Sequence, residues 1–287
     1  MATKTTDRAA EGGPVDEPKA GRPSARPIRW AVLPVIAIAV FLSGSPVQAR
    51  AVDEPAAEPA QLDRGIKVSH LKTQSVPGPS RKGGTYTARL LIGTAVRKKP
   101  GRAGTIWYAR TRTKWSHRGQ RLMVLGSAYA RGRTWLKVRL PIRPNHTAGW
   151  IPRDRVQLAH TRRFILVDTS RKLLRVYHKG HVIVRHRVVV GAPKTPTPTG
   201  LFALWDRAKQ ADPNGFVGTW TLPLTAHSNK LKSYDGGPGL VAFHGRGGAS
   251  LKDPLGSARS HGCVRMNNSR IGWMARQMMG TAVKIRR

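Results

Sequence analysis

At 287 residues the chain is long enough for one large or two modest domains, each able to bury its own core. A hydrophobic content of 39% is compatible with globular structure, and 30 Gly with 21 Pro favour turn-rich β architecture over long helices. The formal net charge of +37 attracts any polyanion, yet the basic residues are scattered among strand-like runs and not gathered on one helix, which argues against a specific nucleic-acid reader.

Ala31 to Leu42 form an apolar run preceded by Arg22, Arg26 and Arg29 and followed by the small-residue stretch Ser43 to Ala49. The run falls short of the roughly 20 residues of a membrane span and fits the apolar core of an export signal, with Val47 and Ala49 at the small positions before a cut. Residues 1–50 therefore read as a signal peptide or, through the long leader before the run, as an uncleaved membrane anchor. The expected location is the cell wall or periplasm, with the membrane reached only through such an anchor. Residues 51–84, rich in Ala, Pro, Glu, Ser and Gly, read as a flexible linker.

Short strand-like runs then alternate with turn residues. In Trp135 to Leu140, the residues Leu136, Val138 and Leu140 share one face while Lys137 and Arg139 point the other way, as in a half-buried strand. Pro141 to Gly149 supplies a polar turn before Trp150-Ile151 and Val156. With Gly149-Trp150-Ile151-Pro152, this segment resembles bacterial SH3-like domains, small five-stranded barrels, and the resemblance covers residues 85–160.

A second strand series starts at Phe164 to Val167, apolar on both faces and so expected at the centre of a sheet. Leu173 to Tyr177 and His181 to Val190 flank a hairpin turn at Lys179-Gly180, with Val182, Val184, Val188 and Val190 on one face. Pro193 to Gly200 is a rigid connector whose prolines lack backbone donors, placing it at the surface or an edge. Leu240 to Phe243 is a short apolar strand. Ile271, Met274, Ala275 and Met278 recur at helical spacing, with Asn268 or Ser269 as the cap and Gly280 as the stop, and Ala282 to Ile285 forms a closing strand.

The single cysteine, Cys263, lies in Ser260-His261-Gly262-Cys263-Val264-Arg265. In an exported chain one thiol has no disulfide partner, and a reactive group kept without structural return suggests a nucleophile. A free thiol near pKa 8.5 is only a few per cent thiolate at neutral pH, so it needs a proton acceptor. His261 and His244 are the candidates; His244 ends a predicted strand and meets the sulfur if that strand neighbours the cysteine segment. The amides of Gly262 and Cys263 are candidates for stabilising the developing oxyanion, and Arg265 suits a substrate carboxylate.

Phe243-His244-Gly245 and Ser260 to Arg265, with Val190-Gly191 and Thr195 to Phe202 upstream, resemble the L,D-transpeptidase (YkuD-like) catalytic domain over about residues 161–287. The whole chain is then mainly β: a small SH3-like β-barrel followed by a YkuD-like β-sandwich with a short helix after the cysteine. The resemblance implies that Cys263 attacks the peptide carbonyl before a terminal D-alanine in a peptidoglycan stem, releasing D-alanine and forming an acyl-thioester that an amine of a neighbouring stem resolves into a cross-link. His244 is the implied base with its ring oriented by the Gly245 carbonyl; Ser260, His261 and Gly262 shape the pocket, and Arg265 holds the substrate carboxylate. No cofactor or metal is expected; peptidoglycan stem peptides, and anionic wall polymers around them, are the expected partners. Four other readings stay open: a wall-binding protein without turnover, a carboxypeptidase using water as acceptor, an inert domain with Cys263 as a buried structural thiol, and a zinc hydrolase using His244, His261 and Cys263.

Overall fold

Alternating side chains build the amino-terminal module. The computed structural model describes residues 75–233 and 237–287, so the apolar run, the export reading and most of the proposed linker lie outside the described residues. Seven strands follow in chain order: β1 (Thr85–Leu90), β2 (Thr94–Arg97), β3 (Thr105–Ala109), β4 (Arg121–Ala130), β5 (Arg133–Arg139), β6 (Ala148–Pro152) and β7 (Val156–Thr161). They pair antiparallel in the order β3-β2-β6-β5-β4-β1-β7. Ala88, Val96, Leu122, Leu136, Val138, Ile151 and Val156 meet in one core, so the sheet curls around its own apolar face.

This differs from the five-stranded barrel expected. Among the described residues the sheet is open, with β3 and β7 as its ends, because β1 pairs along its whole length with β7 and carries the sheet onward. Two further corrections follow from packing. Arg139, expected to face solvent, is buried and its Nη1 donates to the carbonyls of His146 and Thr147. The proposed linker does not extend to residue 84: Val76 packs against the module core, its N–H donates to Ser127 Oγ at 2.8 Å, and Ser80 and Gly84 exchange backbone hydrogen bonds.

Only Arg162 separates β7 from β8 (Arg163–Asp168). There follow β9 (Leu173–His178), β10 (His181–Arg187), β11 (Val190–Gly191), β12 (Gly200–Ala203), β13 (Ala208–Lys209), β14 (Trp220–His227), β15 (Leu240–His244), β16 (Ala258–Ser260), β17 (Val264–Arg265), helix α1 (Asn268–Ala275) and β18 (Ala282–Arg286). A five-stranded sheet, β10-β9-β8-β18-β12, and a four-stranded sheet, β13-β14-β15-β17, enclose the main core; β11 and β16 pair separately. From the first sheet Ile165, Val167, Leu174, Val176, Phe202, Val283 and Ile285 point into that core, and from the second Leu222, Leu224, Val241, Phe243 and Val264. The α1 side chains Ile271, Met274 and Ala275 pack with them, at the expected spacing.

The expectation that Phe164 to Val167 is apolar on both faces for a central strand holds: β8 lies third of five. Ile165 and Val167 enter the sandwich core, while Phe164 and Leu166 pack on the other side with Met123, Tyr177, Ala203 and Ala282. Met123 belongs to β4, so the two modules share this second cluster. The Lys179-Gly180 turn has positive φ at both positions (52° and 90°), as a tight two-residue hairpin requires. Val182 does not join Val188 and Val190 inside; a register shift between Val182 and Val184 on the edge strand β10 leaves it 41% exposed. Asn268, expected as a cap, is the first helical residue, Asn267 holds the cap position, and Met278 lies beyond the helix end.

Because the modules share a cluster, removing its centre should weaken both. Phe164→Ala is expected to cost about 3–5 kcal/mol. Chemical unfolding followed by tryptophan fluorescence and far-UV circular dichroism should show a single coincident transition at lower denaturant; separate transitions for the two modules would contradict the shared packing.

Candidate active site

Strand alternation decides which residues face outward. On β15 the side chains of Val241 and Phe243 enter the sandwich core, which turns Ala242 and His244 to the opposite face. The short strand β17 pairs parallel to β15, with Phe243 opposite Val264 and His244 opposite Arg265. Cys263, one residue before Val264, therefore falls beside Ala242 on the outer face and is the diagonal neighbour of His244, a spacing that long side chains bridge. His244, His261, Cys263 and Arg265 line a single cleft of about 950 Å³, with Thr221, Pro223 and Ala242 on its floor. The structure thus brings together four of the residues singled out from the sequence.

The remaining three shape the loop. Ser260 is fully buried; its hydroxyl donates to the Cys263 carbonyl at 2.6 Å and accepts the Gly262 N–H at 3.1 Å. Gly262 has φ +119°, a conformation side chains rarely adopt, and this turns the chain so that Cys263 can start β17. Its N–H is already taken by Ser260, which removes it from the pair of oxyanion donors expected. The Gly245 carbonyl accepts a hydrogen bond from His244 Nδ1 at 2.8 Å. A carbonyl only accepts, so Nδ1 carries the proton and Nε2 is left as the basic nitrogen. A side chain at Gly245 would collide with Asn268 Oδ1, which accepts the N–H groups of Thr219 and Arg246.

Residues 162–285 match the YkuD family, described as L,D-transpeptidase catalytic domain. This segment is an L,D-transpeptidase catalytic domain. A Bacillus licheniformis protein assigned as L,D-transpeptidase YkuD is 31% identical over 104 residues, which is 36% of this chain and 53% of the relative, so the chain spans about half the length of that curated relative. Among solved structures, an L,D-transpeptidase from Mycobacterium tuberculosis H37Rv is similar at 12% identity, covering 69% of this chain and 95% of the other with a TM-score of 0.37. One from Mycobacterium smegmatis is 14% identical, covering 58% and 99% with a TM-score of 0.34.

Several residues of the transpeptidase domain that organise the site escaped the sequence reading. The connector Pro193 to Gly200 starts at the surface, as expected, but turns inward at Thr197, which is buried: its hydroxyl accepts the Gly191 N–H at 2.8 Å and donates to the Gly262 carbonyl at 2.9 Å, and Thr195 Oγ1 donates to the Ser260 carbonyl at 3.2 Å. The threonines between the prolines were the available signal. Arg265 forms an ion pair with Asp253 and lies over the Phe216 ring at 4.7 Å, leaving its side chain only 4% exposed. Among the described residues, no group of three or more His, Cys, Asp or Glu is placed to hold a metal ion.

Burial controls the protonation of both central groups. It pushes the His244 imidazole down to about 4; the Gly245 carbonyl opposes this and the Arg265 charge adds to it. Burial pushes the Cys263 thiol up, against the pull of the Ala242 backbone hydrogen bond and of Arg265. At neutral pH the pair is therefore neutral thiol and neutral imidazole. Iodoacetamide alkylation of Cys263 should accelerate through the alkaline range without a plateau between about pH 5 and 8; such a plateau would reveal a preformed thiolate–imidazolium pair.

His227, at the far end of β14, is also held down to about 4 by burial and by the Arg143 charge. With folded values below the unfolded 6.5, the unfolded chain binds protons that the fold refuses, so these two rings stabilise fully above pH 6.5 and the contribution is lost as pH falls toward 4. Each is worth on the order of 3 kcal/mol. Urea unfolding at stepped pH should show stability falling across that window, with a shallower fall in His227→Gln; stability unchanged with pH would contradict the burial of the neutral rings.

Proposed function

We propose that the chain is a cysteine-dependent L,D-transpeptidase acting on peptidoglycan stem peptides. The observation that carries this reading is the register of β15 and β17, which sets Cys263 and His244 on one sheet face inside one cleft of a segment matching that catalytic domain. Cys263 Sγ attacks the carbonyl before the terminal D-alanine while His244 Nε2 accepts the thiol proton. The carbon–nitrogen bond breaks, the same imidazole returns the proton to the departing D-alanine amine, and an acyl-thioester remains. The side-chain amine of a diamino acid on a second stem then attacks the thioester, loses a proton to His244, and restores the thiol.

Because Ser260 takes the Gly262 N–H, the Cys263 amide is the loop donor left to stabilise the oxyanion. Arg265 commits one Nη to Asp253 and lines the cleft, so its other Nη is the donor offered to a substrate carboxylate. His261 is exposed at the cleft and suits a contact with the bound stem. Export to the wall or periplasm fits such a substrate, and the positive charge fits residence among anionic wall polymers.

Intact-mass measurement after mixing the full chain with a tetrapeptide stem should show an adduct on Cys263 equal to the acyl tripeptide, with free D-alanine released. His244→Ala should slow its formation by about 10²- to 10⁴-fold. Cys263→Ala should form no adduct yet still sediment with peptidoglycan. Sedimentation without any adduct in the native chain would leave a wall-binding protein, and tripeptide without cross-linked dimer would make water the acceptor.

A further inference from the structure

The cleft is not built by the transpeptidase domain alone. Trp115, from the loop between β3 and β4 of the amino-terminal module, lies on its wall. That loop is rigidly held: Thr113 N–H donates to the Arg118 carbonyl at 2.9 Å, and the Thr113 and Ser116 hydroxyls are hydrogen-bonded at 2.9 Å. Asp206, fully buried and just before β13, accepts the N–H groups of Trp115 and Ser116 at 3.0 and 3.3 Å and the Ser116 hydroxyl at 2.5 Å. The indole packs edge-on against Trp205 at 5.3 Å and is still 37% exposed. A buried carboxylate that holds the backbone amides of an exposed tryptophan and of the serine after it is a device for placing that ring.

Trp205 and Asp206, which hold the ring, lead directly into β13, so the width of the floor sets the scale of its distance from the thiol. Ala208, Thr221, His244 and Arg265 form one row across β13, β14, β15 and β17. Three strand spacings of about 4.8 Å separate the β13 edge from β17, roughly 14 Å in all. An extended peptide covers that distance in about four residues.

We propose that Trp115 is a substrate contact, with Asp206 as its positioning residue, and that it meets the muropeptide about four residues from the scissile carbonyl. This rests on the transpeptidase reading for the identity of the ligand. The C–H-rich face of a hexose ring and the aliphatic face of an extended stem offer the indole the same chemistry, so the sugar and the peptide are the two sources to separate.

The test measures binding in the full-length Cys263→Ala background, where no turnover intervenes. Calorimetric titration uses a tetrapeptide stem with and without its disaccharide. Trp115→Ala should weaken binding of the disaccharide-tetrapeptide about tenfold, the loss of one good aromatic contact, and Trp115→Phe should restore most of it. Loss confined to the sugar-bearing ligand places the ring against the sugar; equal loss on both ligands places it against the stem. Asp206→Asn should weaken binding in the same direction while, in the native-cysteine chain, the iodoacetamide rate of Cys263 stays within about twofold, a split that general damage to the fold would not produce. Unchanged affinity in Trp115→Ala overturns the proposal. Weakened affinity together with no Cys263 adduct in the native chain overturns the catalytic reading and leaves the contact standing.

Discussion

The pairing of a two-residue strand with its parallel neighbour carries the rest of this structure. Along β15 and β17 the side-chain period of two sends Phe243 and Val264 into the sandwich core and His244, Cys263 and Arg265 to the cleft. A slip of one residue would exchange these sets, placing an imidazole and a guanidinium in an apolar core. The register is held on both sides: Met266 N–H donates to the His244 carbonyl at 3.0 Å, and Arg265 and Val189 exchange backbone hydrogen bonds at 2.9 and 3.0 Å. Thr197 and Ser260 then hold the cysteine loop from beneath, so the placement of the sulfur is a consequence of core packing transmitted through a few buried hydroxyls.

That placement also explains the electrostatics. The chain carries a formal charge of +37, yet the centre of the cleft rests on a neutral thiol and a neutral imidazole. Surface charge acts through solvent and is screened within about 8 Å at physiological salt, whereas burial acts on the two groups directly. The cation closest to them, Arg265, is tied to Asp253, which moderates its field and fixes its geometry. The net charge of the surface and the local control of the proton are thus separate properties of the same chain.

The amino-terminal module is joined to this arrangement and not merely tethered beside it. Arg143 donates to the carbonyls of Ser228, Leu231 and Pro238, and Asn145 bonds both the N–H and the carbonyl of His227. Ser228, Leu231 and Pro238 belong to the cleft wall. On another side the shared cluster around Phe164 and Met123 covers the outer face of the five-stranded sheet. The amino-terminal module therefore braces the walls of the cleft.

Local chemistry was legible in the sequence: alternation in Trp135 to Leu140, the two-faced run at Phe164, the helical spacing of Ile271, Met274 and Ala275, and a lone thiol with two histidines as partners. These signals depend on neighbours along the chain, and period and residue type encode them. The misreadings share the opposite property. The pattern sends Arg139 to solvent and the Gly262 amide to the oxyanion, and gives no sign of the buried Thr197 hydroxyl, because their partners, His146, Ser260 and the cysteine loop, are set by turns and contacts that no periodicity carries. His244 as the partner of Cys263 was legible as a strand-end residue, but the parallel register that sets the two on one sheet face, the ion pair of Arg265 with Asp253, and the arrival of Trp115 in the cleft came only with the tertiary structure. Residue types announce what chemistry is possible; strand register and packing decide which groups are close enough to perform it.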